Sequence, residues 1–349
     1  MFQPFSRRSF LQTGAGLGTA TALVGAGVPG FRAAAFAAGK DLGPMVFQLP
    51  WVKNVEWAGE YFADKKGYYK AEGFSSVNLL PGGPNAALGE TVISAGKAFA
   101  SISSPATTAN AILKGAKIKT IGVQYQTSPF IIISLADKPI KTPQDMVGKK
   151  IGVPGGNEPT WNAFLKVNNI DSKSLTAVTV GYTPAPLTTK QVDGLMAFVT
   201  NTPGPLKREG IETHYFGLGE FNYRLVNNNY IVTDESLAKH RDAVKALLRA
   251  EIKGWKDSLA SVEESAKITV EEYGKDLGLK IDDQIDQSKV QNTLIVSDET
   301  KKLGLFMASP AQVDKCIELL KVSGVEIAAK DLFDLSVLEE IYKEDPSLK

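Results

Sequence analysis

The chain has 349 residues, 39 Lys and Arg against 38 Asp and Glu, a net charge of +1, 43% hydrophobic residues and one cysteine. That balance excludes a disordered or fibrous chain and gives no electrostatic case for nucleic acid. Cys316 alone cannot form an internal disulfide, no Cys/His cluster is available for a metal, and His214 and His240 leave little material for acid–base catalysis. At roughly 150 residues per domain, the length predicts about two domains.

In chain order, residues 1–37 read first as an export segment. Arg7 and Arg8 stand together before Phe10 and Leu11, and an Ala/Gly/Val stretch follows to Pro29. Six glycines between Thr13 and Phe31 make a poor spanning helix, because glycine costs about 1 kcal/mol per helical position relative to alanine. Ala35-Phe36-Ala37 supplies a cleavage site, and the paired arginines resemble a twin-arginine signal. Cleavage near Ala37 removes three arginines and no acidic residue, moving the charge from +1 to −2.

From Met45 onward β-rich runs alternate with helical stretches. MVFQLPW, SVNLLPG, KAFASIS, KIKTIGVQYQ and FIIISLA are expected strands, with helices over 56–70, 86–94 and 106–114 between them. A second unit opens at TPQDMVGKKIGVPGG, where Thr142 can cap a short helix that Gly148 ends. LTAVTVGYT, VDGLMAFVT and NNNYIVT are further strands, the last leading to an N-cap at Thr233 or Asp234. Beyond Ser236 the pattern is almost wholly helical. The alternation predicts an α/β fold with mostly parallel sheets flanked by helices.

LPWVKNVEWAGEYFADKKGYYKAEGF, VNLLPGGP, MVGKKIGVPGG, VDG and IVTDESLAKHRDAVKALLRA are similar, in that order, to the thiamine-pyrimidine-precursor group of ABC-transporter solute-binding proteins, a type II periplasmic binding protein family. The W-x-x-N opening with its A-G-x-Y and G-Y-Y spacing is the specific part. The resemblance implies two lobes joined by two hinge crossings, near 134–138 and 225–231. Residues 41–135 with 230–349 would form lobe one, and 136–229 lobe two.

Ligands of open parallel sheets bind beyond the carboxyl ends of the strands. After the first strand that rule selects Trp51, Asn54, Glu56 and Trp57: two indoles to stack on a flat heterocycle, an amide and a carboxylate to bond its edge. The alternative is that the indoles pack the first helix on the sheet. Ser103 and Ser104 either bond a ligand or cap the next helix. Tyr125 is either a cleft contact or a buried hinge tyrosine. Gly155, Gly156 and Asn157 precede a helix containing Trp161, where free amides would suit an anionic or carbonyl group, or form a plain turn. Phe198 and Asn201 face the cleft from lobe two by the same strand-end rule; Tyr182, Tyr223 and Asn227–Asn229 are weaker candidates.

The expected function is an exported receptor that traps a small aromatic heterocycle, pyrimidine-, thiamine-precursor- or riboflavin-like, and delivers it to an ABC permease in the inner membrane. It would act as a monomer in the periplasm or on the outer face of the envelope, without cofactor, metal or catalysis. A sulfonate or small-anion receptor is the alternative. A pyrimidine-forming synthase of the same fold is disfavoured, because Trp57 stands where that enzyme uses a histidine.

Overall fold

The computed structural model describes residues 41–83 and 86–349, so the expected export segment lies outside the described residues. Among the described residues, ten strands form two five-stranded sheets. They are β1 (Gly43–Gln48), β2 (Phe74–Leu80), β3 (Ala100–Ser103), β4 (Ile118–Tyr125), β5 (Phe130–Leu135), β6 (Lys150–Pro154), β7 (Thr176–Val180), β8 (Gly194–Phe198), β9 (Thr213–Gly217) and β10 (Asn227–Thr233).

The first sheet runs β2-β1-β3-β10-β4 and the second β7-β6-β8-β5-β9. Each holds three parallel strands, and the fourth strand in each order runs antiparallel to both its neighbours. β5 and β10 are therefore the strands on which the chain enters the second sheet and returns to the first. The crossings fall between Tyr125 and Phe130 and between Gly217 and Asn227. The first lies earlier than the expected 134–138, because β5 pairs with β8 and β9 rather than closing the first sheet, while the second overlaps the start of the expected 225–231. The edge strand β9 was not anticipated. Its side chains are mostly half-exposed, so it lacks the alternation that reveals a half-buried strand.

The A-G-x-Y motif has a packing cause. Helix Ala58–Lys65 crosses helix Arg241–Ala260 at Gly59 and Gly254, where a Cβ on Gly254 would stand 2.1 Å from the Gly59 carbonyl oxygen. A Cβ on Gly59 would meet the Trp255 ring at 2.3 Å. Phe47, Trp57, Tyr61, Tyr230 and Trp255, all fully buried, fill the core around this crossing.

After β10 the chain is helical to its end, as expected, and Thr233 caps the next helix by accepting from the Ser236 amide. One C-terminal helix departs from the expected lobe assignment. In Pro310–Val322, Cys316, Leu319 and Leu320 share a core with Trp161, Phe164 and Leu165 of helix Glu158–Val167, so this helix packs on the second sheet's side. Among the described residues no helix is long and apolar enough to cross a membrane.

Candidate functional site: the cleft between the sheets

Loops at the strand ends of both sheets enclose a cleft of about 570 Å³, within the roughly 300–1,000 Å³ of small-molecule sites. From the first sheet it is lined by Trp51, Asn54, Glu56, Trp57, Ser103 and Ser104. From the second come Gly155, Gly156, Asn157, Phe198 and Asn201.

The loop after β1 is fixed by its own polar groups. The Asn54 side-chain oxygen accepts from the Glu56 amide at 3.0 Å, Trp57 donates its indole N–H to the Val52 carbonyl at 3.1 Å, and Tyr61 donates to the Asn54 carbonyl at 3.0 Å. Helix Ile281–Ile295 secures it from behind: Gln284 accepts from the Val55 amide at 2.8 Å and Gln291 donates to the Val55 carbonyl at 3.3 Å. Trp57 thus reaches the cleft wall as a fully buried ring, while Trp51 stays partly exposed.

Glu56 is 4% exposed, and one oxygen accepts from the Asn228 amide at 3.0 Å. Burial pushes its carboxyl up from 4.5 to about 7, against the lowering effect of Asn228. A second carboxyl, Glu90, also lines the cleft. It accepts from the hydroxyls of Ser103 and Thr108, its other oxygen has no partner among the described residues, and burial raises its pKa. Behind the wall, Glu60 and Glu251 sit fully buried on either side of the Tyr230 hydroxyl, at 3.0 and 3.3 Å, and burial raises both.

Two expected residues lie elsewhere. Tyr125 is fully buried and donates to Gln291 at 3.0 Å: its ring faces helix Ile281–Ile295 rather than the cleft. Trp161 is 3% exposed in the second core with Phe164, three positions on and so on the same helix face; Thr160, one residue earlier, is the one that lines the cleft. Gln284, Gln287, Glu90 and Thr160 were missed. The glutamines come from the C-terminal helical region, whose contact with this loop spans more than 200 residues of sequence, and no local pattern reveals that.

The glycine turn is a turn more than an anion cradle. The Gly155 and Asn157 amides donate to the carbonyls of Val180 and Pro154, and acidic Glu158 opens the helix. Gly156 has φ +87°, which explains the glycine. Among the described residues the cleft lining has no Lys, Arg or His, whereas Glu56, Glu90 and Asp283 contribute acid groups.

Described residues of the two halves meet across the cleft mouth. The Trp51 and Tyr182 rings have centroids 4.2 Å apart at 60°. Arg208, at the end of helix Pro203–Arg208, forms ion pairs with Asp283 and Asp286 of helix Ile281–Ile295.

Two α/β halves joined by two crossings, with a ligand-sized cleft between them, define the periplasmic binding protein fold. The periplasmic aliphatic sulphonate-binding protein SsuA of Escherichia coli matches with a TM-score of 0.60 at 14% identity, covering 84% of this chain and 91% of that one. The chain belongs to the NMT1/THI5-like family, whose model matches residues 54–265. It is 26% identical over 234 residues to a riboflavin-binding protein of Chloroflexus aurantiacus, covering 64% of this chain and 64% of that relative's length. It is 23% identical over 229 residues to a formylaminopyrimidine-binding protein of Halalkalibacterium halodurans, covering 63% of this chain and 68% of the relative.

Proposed function

We propose that the chain is the exported solute-binding receptor of an ABC importer, trapping a small, neutral aromatic heterocycle between two lobes and delivering it to a permease in the inner membrane. The observation that carries this reading is the composition of the cleft: aromatic rings at Trp51, Tyr182 and Phe198, polar groups at Asn54, Glu56, Asn201 and Gln287, and no cationic side chain among its described lining residues. A sulfonate or nitrate would meet buried carboxyls instead of a positive charge and a turn whose amides are largely spent. The two curated relatives are both named for binding heterocycles, which supports a receptor without covalent chemistry. The export segment at 1–37, cleaved near Ala37, belongs to this reading, as do action as a monomer and a place in the periplasm or on the outer envelope face.

Closure follows from the contacts at the mouth. Trp51–Tyr182 and Arg208 with Asp283 and Asp286 each join one half to the other, so they form only when the halves approach. Titration of the chain into riboflavin, followed by flavin emission, tests the reading: stacking between rings quenches emission at saturation, and excess alkanesulfonate leaves the quench unchanged. Competition by sulfonate would reverse the assignment of ligand class.

A further inference from the structure

Glu56 occupies an unusual position for an acid. It stands on the wall of a cleft that offers no cation among its described lining residues, and one of its oxygens is already taken by Asn228. Its other oxygen accepts no hydrogen bond from the described residues, yet it belongs to a residue only 4% exposed that lines the ligand space. An ionised carboxylate left half-solvated in such a place is costly, and protonation or a partner in the cleft relieves it.

Among the described residues, the elements packed around Glu56 bring no positive charge to bear on it. On its own turn stands Asn54, whose side-chain oxygen is used on the Glu56 amide. Helix Ala58–Lys65 presents Glu60 and Tyr61, and β4 presents Tyr125, each close enough to interact electrostatically with Glu56. β10 presents Asn228, and helix Ile281–Ile295 presents the amides of Gln284, Gln287 and Gln291 together with Asp283, which is held by Arg208 at the rim. Lys53, three residues earlier, holds its ammonium over the Tyr273 ring at 6.0 Å. Among the described residues, the packed faces present acids and neutral amides to Glu56, and no cation acts on it.

We propose that Glu56 is the hydrogen-bond donor that selects the solute: its open oxygen carries a proton and offers it to an acceptor on the ligand, a ring nitrogen or ring carbonyl of a neutral heterocycle. This rests on the heterocycle reading above and narrows it to acceptor-bearing rings. Burial that pushes the carboxyl up to about 7 keeps it protonated in mildly acidic solution and about half protonated near neutrality. A bound acceptor favours the protonated form further, so binding above neutrality takes up a proton, and affinity falls as the pH climbs.

The test is isothermal titration of the full chain with riboflavin and, separately, 4-aminopyrimidine from pH 5 to 9, in buffers of differing ionisation enthalpy, for the wild type and Glu56→Gln. The expected result is a dissociation constant flat at low pH that rises about tenfold per unit above about 7, with proton uptake visible in the buffer dependence. In Glu56→Gln, which keeps an N–H donor but cannot titrate, the slope and the proton uptake disappear while binding persists. Binding that is independent of pH, that tightens as pH rises, or whose pH slope survives in Glu56→Gln overturns the donor role but leaves the heterocycle reading standing. Failure of both probes to bind at any pH overturns the heterocycle reading and the donor role with it.

Discussion

Raising the pH from 5 to 9 should destabilise the protein through carboxyl groups buried near the cleft. Glu56 rises from 4.5 to about 7 on folding, so its neutral form is the one the fold accommodates. A group whose pKa is raised in the folded state contributes its stability fully below the unfolded value and loses it as the pH climbs through the folded value. At about 1.4 kcal/mol per unit, the shift amounts to about 3 kcal/mol lost between pH 4.5 and 7. Glu60 and Glu251 act in the same direction. Trp255 donates to the Tyr230 hydroxyl at 3.1 Å, and that hydroxyl has one proton for two carboxyls at 3.0 and 3.3 Å. One of the two carboxyls must therefore bring a proton of its own to complete the arrangement. The exposed carboxylates Glu340 and Glu344, beside Arg241, Lys245 and Arg249, are shifted down instead, and their contribution is lost only in acid. The assay is urea denaturation at pH 5, 6, 7, 8 and 9, with Glu60→Gln alongside. A fall of several kcal/mol toward alkaline pH, shallower in Glu60→Gln, is expected. A flat or rising profile would refute the picture of neutral buried carboxyls.

Three further outcomes follow from the geometry. Trp51→Ala should weaken heterocycle binding by about 1–3 kcal/mol with a smaller loss of stability, since Trp51 is partly exposed, packs only at the edge of the first core and meets the Tyr182 ring across the mouth; titration calorimetry and thermal unfolding separate the two effects. Trp161→Ala should do the opposite, costing about 3–5 kcal/mol of stability in the second core, because the ring packs with Phe164 and not with ligand; a normal unfolding midpoint would contradict its placement. Arg208→Ala should leave the fold intact and loosen ligand binding a few-fold, with a reduced dependence on salt, as expected of partly exposed ion pairs worth about 0–1 kcal/mol each; an unchanged affinity and salt slope would mean these pairs take no part in closure.

Much of the fold was legible because its strands are locally marked. FIIISLA and NNNYIVT announce β5 and β10 by composition, and Gly59 could be read as part of a motif before its close crossing with Gly254 explained it. The sheet that β5 joins was not legible, because pairing partners are decided by long-range register and not by the strand's own residues. The strand-end rule selected Trp51, Glu56, Phe198 and Asn201, all of which line one cleft. It failed for Tyr125 and Trp161, where the direction of a side chain matters more than its place near a strand end. It also passed over Gln284 and Gln287, which reach the cleft from a helix more than 200 residues away in sequence from the loop they support.

The claim that this cleft is built for neutral aromatic heterocycles is tested most directly by thermal unfolding of the chain against riboflavin, aminopyrimidines, thiamine, alkanesulfonates and nitrate. A ligand at 100 times its dissociation constant stabilises by about 2.7 kcal/mol, a readily measured rise in the midpoint. The account predicts a rise with a heterocycle and none with the anions. A rise confined to a sulfonate or nitrate would contradict it.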